Sequence, residues 1–133
     1  MWETESIPDA DILYYRVHYK NLDKNGCPIP GAFRNQPDKT KDGMSTEWSK
    51  YSDSEQARHR VSEWDKDPSH YVVIALNVAA VRAIEEQRVE HTPIEPCEAV
   101  PNGNQSHTDV FGPKNTETRS KFIEAYYWPA DDE

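Results

Sequence analysis

Apolar and polar residues alternate with a period of two through DILYYRVHYK, residues 11 to 20. Leu13, Tyr15, Val17 and Tyr19 fall on one side of an extended chain, and Tyr14, Arg16 and His18 on the other. Side chains of successive strand residues point to opposite faces, so this pattern predicts a strand with one buried side. HYVVIALNV, residues 70 to 78, is apolar without alternation. That run predicts a strand covered on both faces, and therefore a central one. MSTEW at 44–48, residues 88–92 and QSHTDVF at 105–111 read as shorter strands.

Helical spacing appears elsewhere. Ser52 and Glu55 have the spacing of a capping box, and Ala57, Val61 and Trp64 follow along one helical face. The expected helix covers 53–65 and stops before Asp67-Pro68, because the residue ahead of a proline is pushed out of the α region. Asn77 is placed to open a short helix through VAAVRAIEEQ, with Val81 and Ile84 inward. Thr116 opens a last one, in which Phe122 and Tyr126, and Ile123 and Tyr127, are i,i+4 neighbours. Residues 28–43 and 93–104 are rich in proline and lack either period, so they are expected to be irregular loops beside any pocket mouth.

The expected architecture is α+β: a small mixed or antiparallel sheet of about four strands covered by two to three helices. Strands 11–20, 70–78 and 105–111 should share the sheet, with helices 53–65 and 117–127 on its faces. Trp64, Ile74, Leu76, Phe122 and Tyr126 are the expected core. At 133 residues the chain suits one domain, 1–133, with loose ends at 1–10 and 129–133.

Composition changes this picture only in part. Hydrophobic residues make up 35% and mean hydropathy is -0.96, values that on their own lean toward disorder. Four Trp, seven Tyr and three Phe oppose that reading, since each aromatic buries a large area. The net charge of -9, with no basic run, argues against general nucleic-acid binding. No apolar stretch approaches the roughly 20 residues of a membrane span, so no membrane partner is expected. MWETESIPDAD has neither the basic start nor the apolar middle of a signal peptide. Cys27 and Cys97 form no CxxC pair, which makes a cytoplasmic setting with two free thiols the default.

The candidate chemistry lies on strand faces. Arg16 and His18 share the polar side of the first strand, where an Arg fork can grip phosphate or carboxylate and a His can move a proton near neutrality. The stretch NGNQSHTDVFG, residues 102 to 112, places His107 and Asp109 on one side of another strand. Ser45 follows a glycine in DGMSTEW, and His91 ends the 88–92 strand. His18, His107 and Asp109 are therefore the candidate catalytic groups, and Arg16, Ser45 and His91 the candidate ligand contacts. His18, His91 and His107 are too widely spaced to predict a metal site, and no motif names a cofactor. There is no nucleophile elbow, P-loop or dinucleotide fingerprint.

YYRVHY followed by DGMSTEWSKYSDSEQA, a strand with Arg and His and then a Ser/Thr turn into a helix, resembles the opening of ADP-ribosyltransferase-type NAD-binding domains. The resemblance covers the first half of the chain and implies nicotinamide or ribosyl chemistry. The second half departs from that pattern: no strand there offers the catalytic Glu of that family, and Asp109 would have to substitute for it.

Two function classes follow. The first is a catalytic or ligand-handling domain acting on an anionic, nucleotide-like substrate through an Arg/His pocket, by ribosyl or phosphodiester chemistry. The second is an acidic interaction or inhibitor module that meets a basic protein partner, with exposed aromatics such as Trp2 and Trp128 at the contact.

Overall fold

The computed structural model describes residues 1–36 and 43–130. Part of the loop expected at 28–43 and the end of the tail expected at 129–133 lie outside the described residues. Five strands form one antiparallel sheet: β1 (Ile12–His18), β2 (Gly43–Trp48), β3 (Tyr71–Asn77), β4 (Arg88–His91) and β5 (His107–Phe111). Their order across the sheet is β3-β1-β2-β5-β4. Three α-helices complete the α+β fold: α1 (Ser54–His59), α2 (Val78–Arg82) and α3 (Thr116–Ala125). The sheet has one strand more than the sequence led us to expect.

Register explains how the two faces differ. Leu13 pairs with Trp48 and Leu76, Tyr15 with Ile74, and Met44 with Val110, which in turn pairs with Val89. Paired residues in antiparallel strands share a face, so these side chains form one apolar surface. Phe33, Val78, Val81, Ile84 and Phe122 from the connecting segments and helices complete the core against it. Phe33 stacks on both Tyr15 and Phe122, at ring-centroid separations of 5.7 and 5.2 Å. The opposite face carries Tyr14, Glu47 and His107 in one row, and Ser45, Asp109 and Glu90 in another. Among the described residues only part of it is covered, by α1 and the 3-10 turn Arg60–Trp64 that continues it, which bury Ala57 and Val61. A polar sheet face left half open is where a site can form.

Three expectations need correction. The 71–77 strand is not central: it is the terminal strand of the order, and among the described residues its outer edge is met by Tyr127, which exchanges two backbone hydrogen bonds with Ala75 at 2.8 and 3.0 Å. Its unbroken apolarity has another cause. Ile74 and Leu76 enter the main core while Val73 and Ala75 lie under α1, so both faces are covered although one edge is not. The cap of α1 is Asp53, whose side chain accepts from Gln56 N at 2.8 Å; the Ser52 hydroxyl instead donates to Asp53 O. Of the expected core, Ile74, Leu76 and Phe122 are fully buried, whereas Trp64 and Tyr126 are half-buried.

The first ten residues, expected to be loose, make specific contacts. Ile7 is buried, Arg82 donates to Ile7 O at 2.8 Å, and the Glu5 carboxylate receives Lys50 and the Tyr51 hydroxyl. Trp2 lies against Gly103 and its backbone N donates to Glu95, so of the two tryptophans expected to be exposed only Trp128 is. Among the described residues no helix is long and apolar enough to cross a membrane.

Candidate functional site

A cleft of about 1050 Å³ opens over the polar face beside β1. Arg16 and His18 from β1, Ser45 from β2, Trp64 from the 3-10 turn, and Tyr71 from β3 contribute to its walls. Ala32, Arg34 and Gln36 bring the expected loop to its rim, and Lys20, Asp65, Lys66, Asp67 and His70 close the remaining side. Among the described residues four fixed cations and two carboxylates therefore line it, in a chain that carries 15 Lys and Arg against 24 Asp and Glu. The local balance is the reverse of the global one.

That cation cluster acts on His18. Burial lowers its pKa, and Lys20, His70, Lys66 and Arg34 push in the same direction by repelling the imidazolium. Its Nδ1 accepts from Lys20 N at 3.2 Å, so the neutral ring carries its proton on Nε2. His70 lies 6.1 Å away by ring centroid, and its Nε2 is 3.8 Å from Asp67. The His18 and Tyr71 rings meet edge to face at 5.1 Å, and the Arg16 guanidinium sits 5.4 Å above the Trp64 ring. Flat rings and cations thus lie together in the cleft lining.

Beneath Arg16 lies Glu47, only 1% exposed. Arg16 Nη1 donates to it at 2.8 Å and to Ala57 O at 2.9 Å, while Arg60 Nε approaches at 3.2 Å. Asn104 donates to the same carboxylate at 3.1 Å, and the Ser106 hydroxyl completes its shell. A buried carboxylate with four donors is satisfied, which keeps it ionised. Burial alone would raise its pKa, but the charges of Arg16 and Arg60 and these hydrogen bonds outweigh burial and hold it below the usual carboxylate range. The network fixes Arg16 in the cleft wall and ties the 102–106 turn to the sheet.

A second chain of hydrogen bonds runs across β2, β5 and the residue after β4. His107 Nδ1 lies 2.9 Å from Thr92 O and 3.0 Å from Thr92 Oγ1. A carbonyl can only accept, so Nδ1 carries the proton and Nε2 the lone pair. Nε2 then accepts from the Ser45 hydroxyl at 3.2 Å. The Thr92 hydroxyl donates to Asp109 Oδ2 at 2.9 Å. Asp109 and Ser45 are cross-strand partners, and so are His107 and Glu47, which places the chain on the open face.

The expected site residues divide accordingly. Arg16, His18 and Ser45 line the cleft, His107 reaches it through Ser45, and Asp109 stands behind His107 with Thr92 between them. His91 does not join them. It points to the core face beside Trp48, is 2% exposed, accepts from Glu5 N through Nδ1 at 3.0 Å and donates from Nε2 to Gln105 O at 2.7 Å. Both its nitrogens are engaged, so a three-histidine cluster does not form. Among the described residues no group of three or more His, Cys, Asp or Glu is placed to hold a metal.

Sequence reasoning missed the cations Lys20, Arg34 and Lys66, the role of Thr92, and His70, which reads as no more than a strand start. None carries a local signal; each matters through what the fold sets beside it. The 93–104 loop, expected at a pocket mouth, instead supplies Asn104 to Glu47 from behind. No protein-family model, curated protein or solved structure matches the chain.

Proposed function

We propose that the chain handles a phosphate-bearing, nucleotide-like ligand in this cleft. The observation that carries the reading is the charge reversal: Arg16, Lys20, Arg34 and Lys66 converge on one concavity of a protein with net charge -9. An acidic surface repels anions, so a cationic hollow within it selects and focuses them. The cleft volume of about 1050 Å³ sits at the top of the roughly 300–1,000 Å³ span of small-molecule sites, which leaves room for more than a single phosphate group. Trp64, Tyr71 and His18 offer ring faces for a base, the sequence-tolerant contact that nucleic-acid and nucleotide sites use.

The strand positions support the same reading. The resemblance to ADP-ribosyltransferase-type domains implies an Arg on the first strand, a Ser/Thr turn after it, and a later catalytic Glu, for which Asp109 would have to substitute. Arg16, Ser45 and Asp109 stand on β1, β2 and β5, three adjacent strands of the sheet. In this reading the phosphates rest on the cations and the reactive end of the ligand lies at Ser45.

Isothermal titration with NAD, ADP and adenosine tests the proposal. NAD and ADP should bind, adenosine should bind at least tenfold more weakly, and the difference should shrink as salt rises. Replacing Arg34 and Lys66 together by Ala should weaken ADP binding by about tenfold or more, as expected for lost charge-assisted hydrogen bonds. Equal affinity for ADP and adenosine, or no binding of any of the three at millimolar concentration, would refute it.

A further inference from the structure

We infer that Ser45 is a nucleophile, activated by His107, that attacks phosphorus in a phosphoester held in the cleft. The inference rests on the nucleotide-like reading of the cleft for its substrate class, but its geometry stands separately. A serine hydroxyl is a poor nucleophile until a base takes its proton. His107 is placed as that base: its Nε2 lone pair faces Ser45 Oγ at 3.2 Å, within the looser range of an unliganded site. The tautomer is enforced from the other side, since Thr92 O can only accept and holds the proton on Nδ1 at 2.9 Å.

Thr92 carries the third role. Its hydroxyl proton is committed to Asp109 Oδ2 at 2.9 Å, so the oxygen lone pair is left toward His107 Nδ1–H at 3.0 Å. The negative charge of Asp109 thus reaches the imidazolium through one hydroxyl, and Thr92 and Asp109 are positioning residues. Backbone bonding holds the two segments together as well, because Thr92 N donates to His107 O at 3.0 Å.

The step balances with the groups present and water. Ser45 Oγ forms a bond to phosphorus as its proton passes to His107 Nε2. The bond from phosphorus to the leaving oxygen breaks, that oxygen keeps the electron pair, and His107 returns the proton to it. Water then attacks the phosphoseryl group, its proton goes to Nε2, and Ser45 leaves with that proton. Arg16 lines the same cleft as Ser45 and is the cation assigned to the charge that builds on the phosphoryl oxygens.

The test is covalent labelling of the intact protein with a fluorophosphonate, a phosphorus electrophile that loses fluoride to an activated serine, read by peptide mass spectrometry. Wild type should label at Ser45. Ser45→Ala should abolish the label, and His107→Gln should slow it by about 100-fold or more, the scale of a general base. Thr92→Val should slow it by about tenfold, the scale of one lost hydrogen bond, and Thr92→Ser should restore it, which a purely structural role for the methyl-bearing side chain would not give. Titration with ADP on the same samples separates the two proposals. ADP binding without any label at Ser45, or labelling that His107→Gln leaves at the wild-type rate, overturns the nucleophile. Labelling at Ser45 that follows the variants, with no nucleotide bound, upholds the nucleophile and removes the nucleotide as its ligand.

Discussion

Arg16 Nη1 lies 2.8 Å from Glu47 Oε2, and the Glu47 side chain is 1% exposed while that of Arg16 is 14% exposed. The pair links the cleft wall to the protein interior. Removing one partner of a buried ion pair leaves the other charge uncompensated, at a cost of about 3–5 kcal/mol. Glu47→Ala should lose stability on that scale in urea unfolding, because Arg16, Arg60, Asn104 and Ser106 all lose their acceptor. The pH dependence follows from the direction of the shift. Glu47 titrates below its ordinary value of 4.5 in the folded state, so its stabilisation is complete above 4.5 and is lost as pH falls through the lower folded value. Glu47→Gln should flatten that part of the acid limb, and an acid limb identical to wild type would refute the assignment.

Lys114 is also shifted downward, but here the fold disfavours the charged form, whereas it favours the charged form of Glu47. Its ammonium donates to Asn35 Oδ1 at 2.8 Å, Val110 O at 3.1 Å and Gly112 O at 2.8 Å, with no carboxylate among them. Burial lowers its pKa from 10.5 to about 8. Between those values the unfolded chain binds more protons than the folded one, so stability from this group rises with pH across that window and is flat below it. The difference in unfolding free energy between wild type and Lys114→Met should therefore move in favour of wild type from pH 8 to 10. A difference that stays constant would place Lys114 at its ordinary value.

Much of this arrangement was legible in the chain. The alternation in DILYYRVHYK separates Leu13, Tyr15 and Val17 from Arg16 and His18, and the structure keeps that separation. QSHTDVF likewise puts His107 and Asp109 on one face. Periodicity reports which side of a strand is wet, and that was enough to find Arg16 and His18 in the cleft and His107 beside it, whereas Ser45 was singled out as a hydroxyl following Gly43. It does not report lateral position, which is why β3 reads as central from an apolar run whose cause is α1 above and the core below. Nor does it say which face of the sheet two strands share. His91 and His107 are both strand residues, yet they point to opposite faces, because His91 pairs with Thr108 rather than with His107. Lys20 and Arg34 come from the connection between β1 and β2 and Lys66 from the segment ahead of β3, and they meet only through the fold.

The 102–106 turn makes a third prediction. Gly103 has φ of +68°, and a Cβ there would stand 2.7 Å from Ile94 O and from the Trp2 ring. Gly103→Ala meets both a left-handed backbone, worth about 1 kcal/mol against a non-glycine residue, and a backbone atom that has little room to yield. It should destabilise by about 1–3 kcal/mol, the usual cost of overpacking. Because Trp2 is the displaced ring, its fluorescence should shift in the folded variant. Wild-type stability together with an unchanged emission spectrum would mean that the N-terminal segment does not rest on this turn.

Gly43 tests the same crowding where it touches the reactive chain. A Cβ there would sit 2.9 Å from Asp109 Cβ and Oδ1 and from the Phe111 ring. Gly43 pairs with Phe111 and its neighbour row holds Ser45 opposite Asp109, so any relief must come from moving β5 side chains. Gly43→Ala should cost about 1–3 kcal/mol as an overpacked contact. It should also slow phosphonate labelling of Ser45, because Asp109 pushed away from Thr92 no longer orients the hydroxyl that faces His107. Gly31→Ala is the matched control: its nearest neighbour would be Ile29 Cδ1 at 3.9 Å, an ordinary contact, and it should leave stability and labelling at wild-type levels. If Gly43→Ala loses stability but labels at the wild-type rate, the position of Asp109 does not matter to the chemistry, and Thr92 holds His107 through its backbone carbonyl alone.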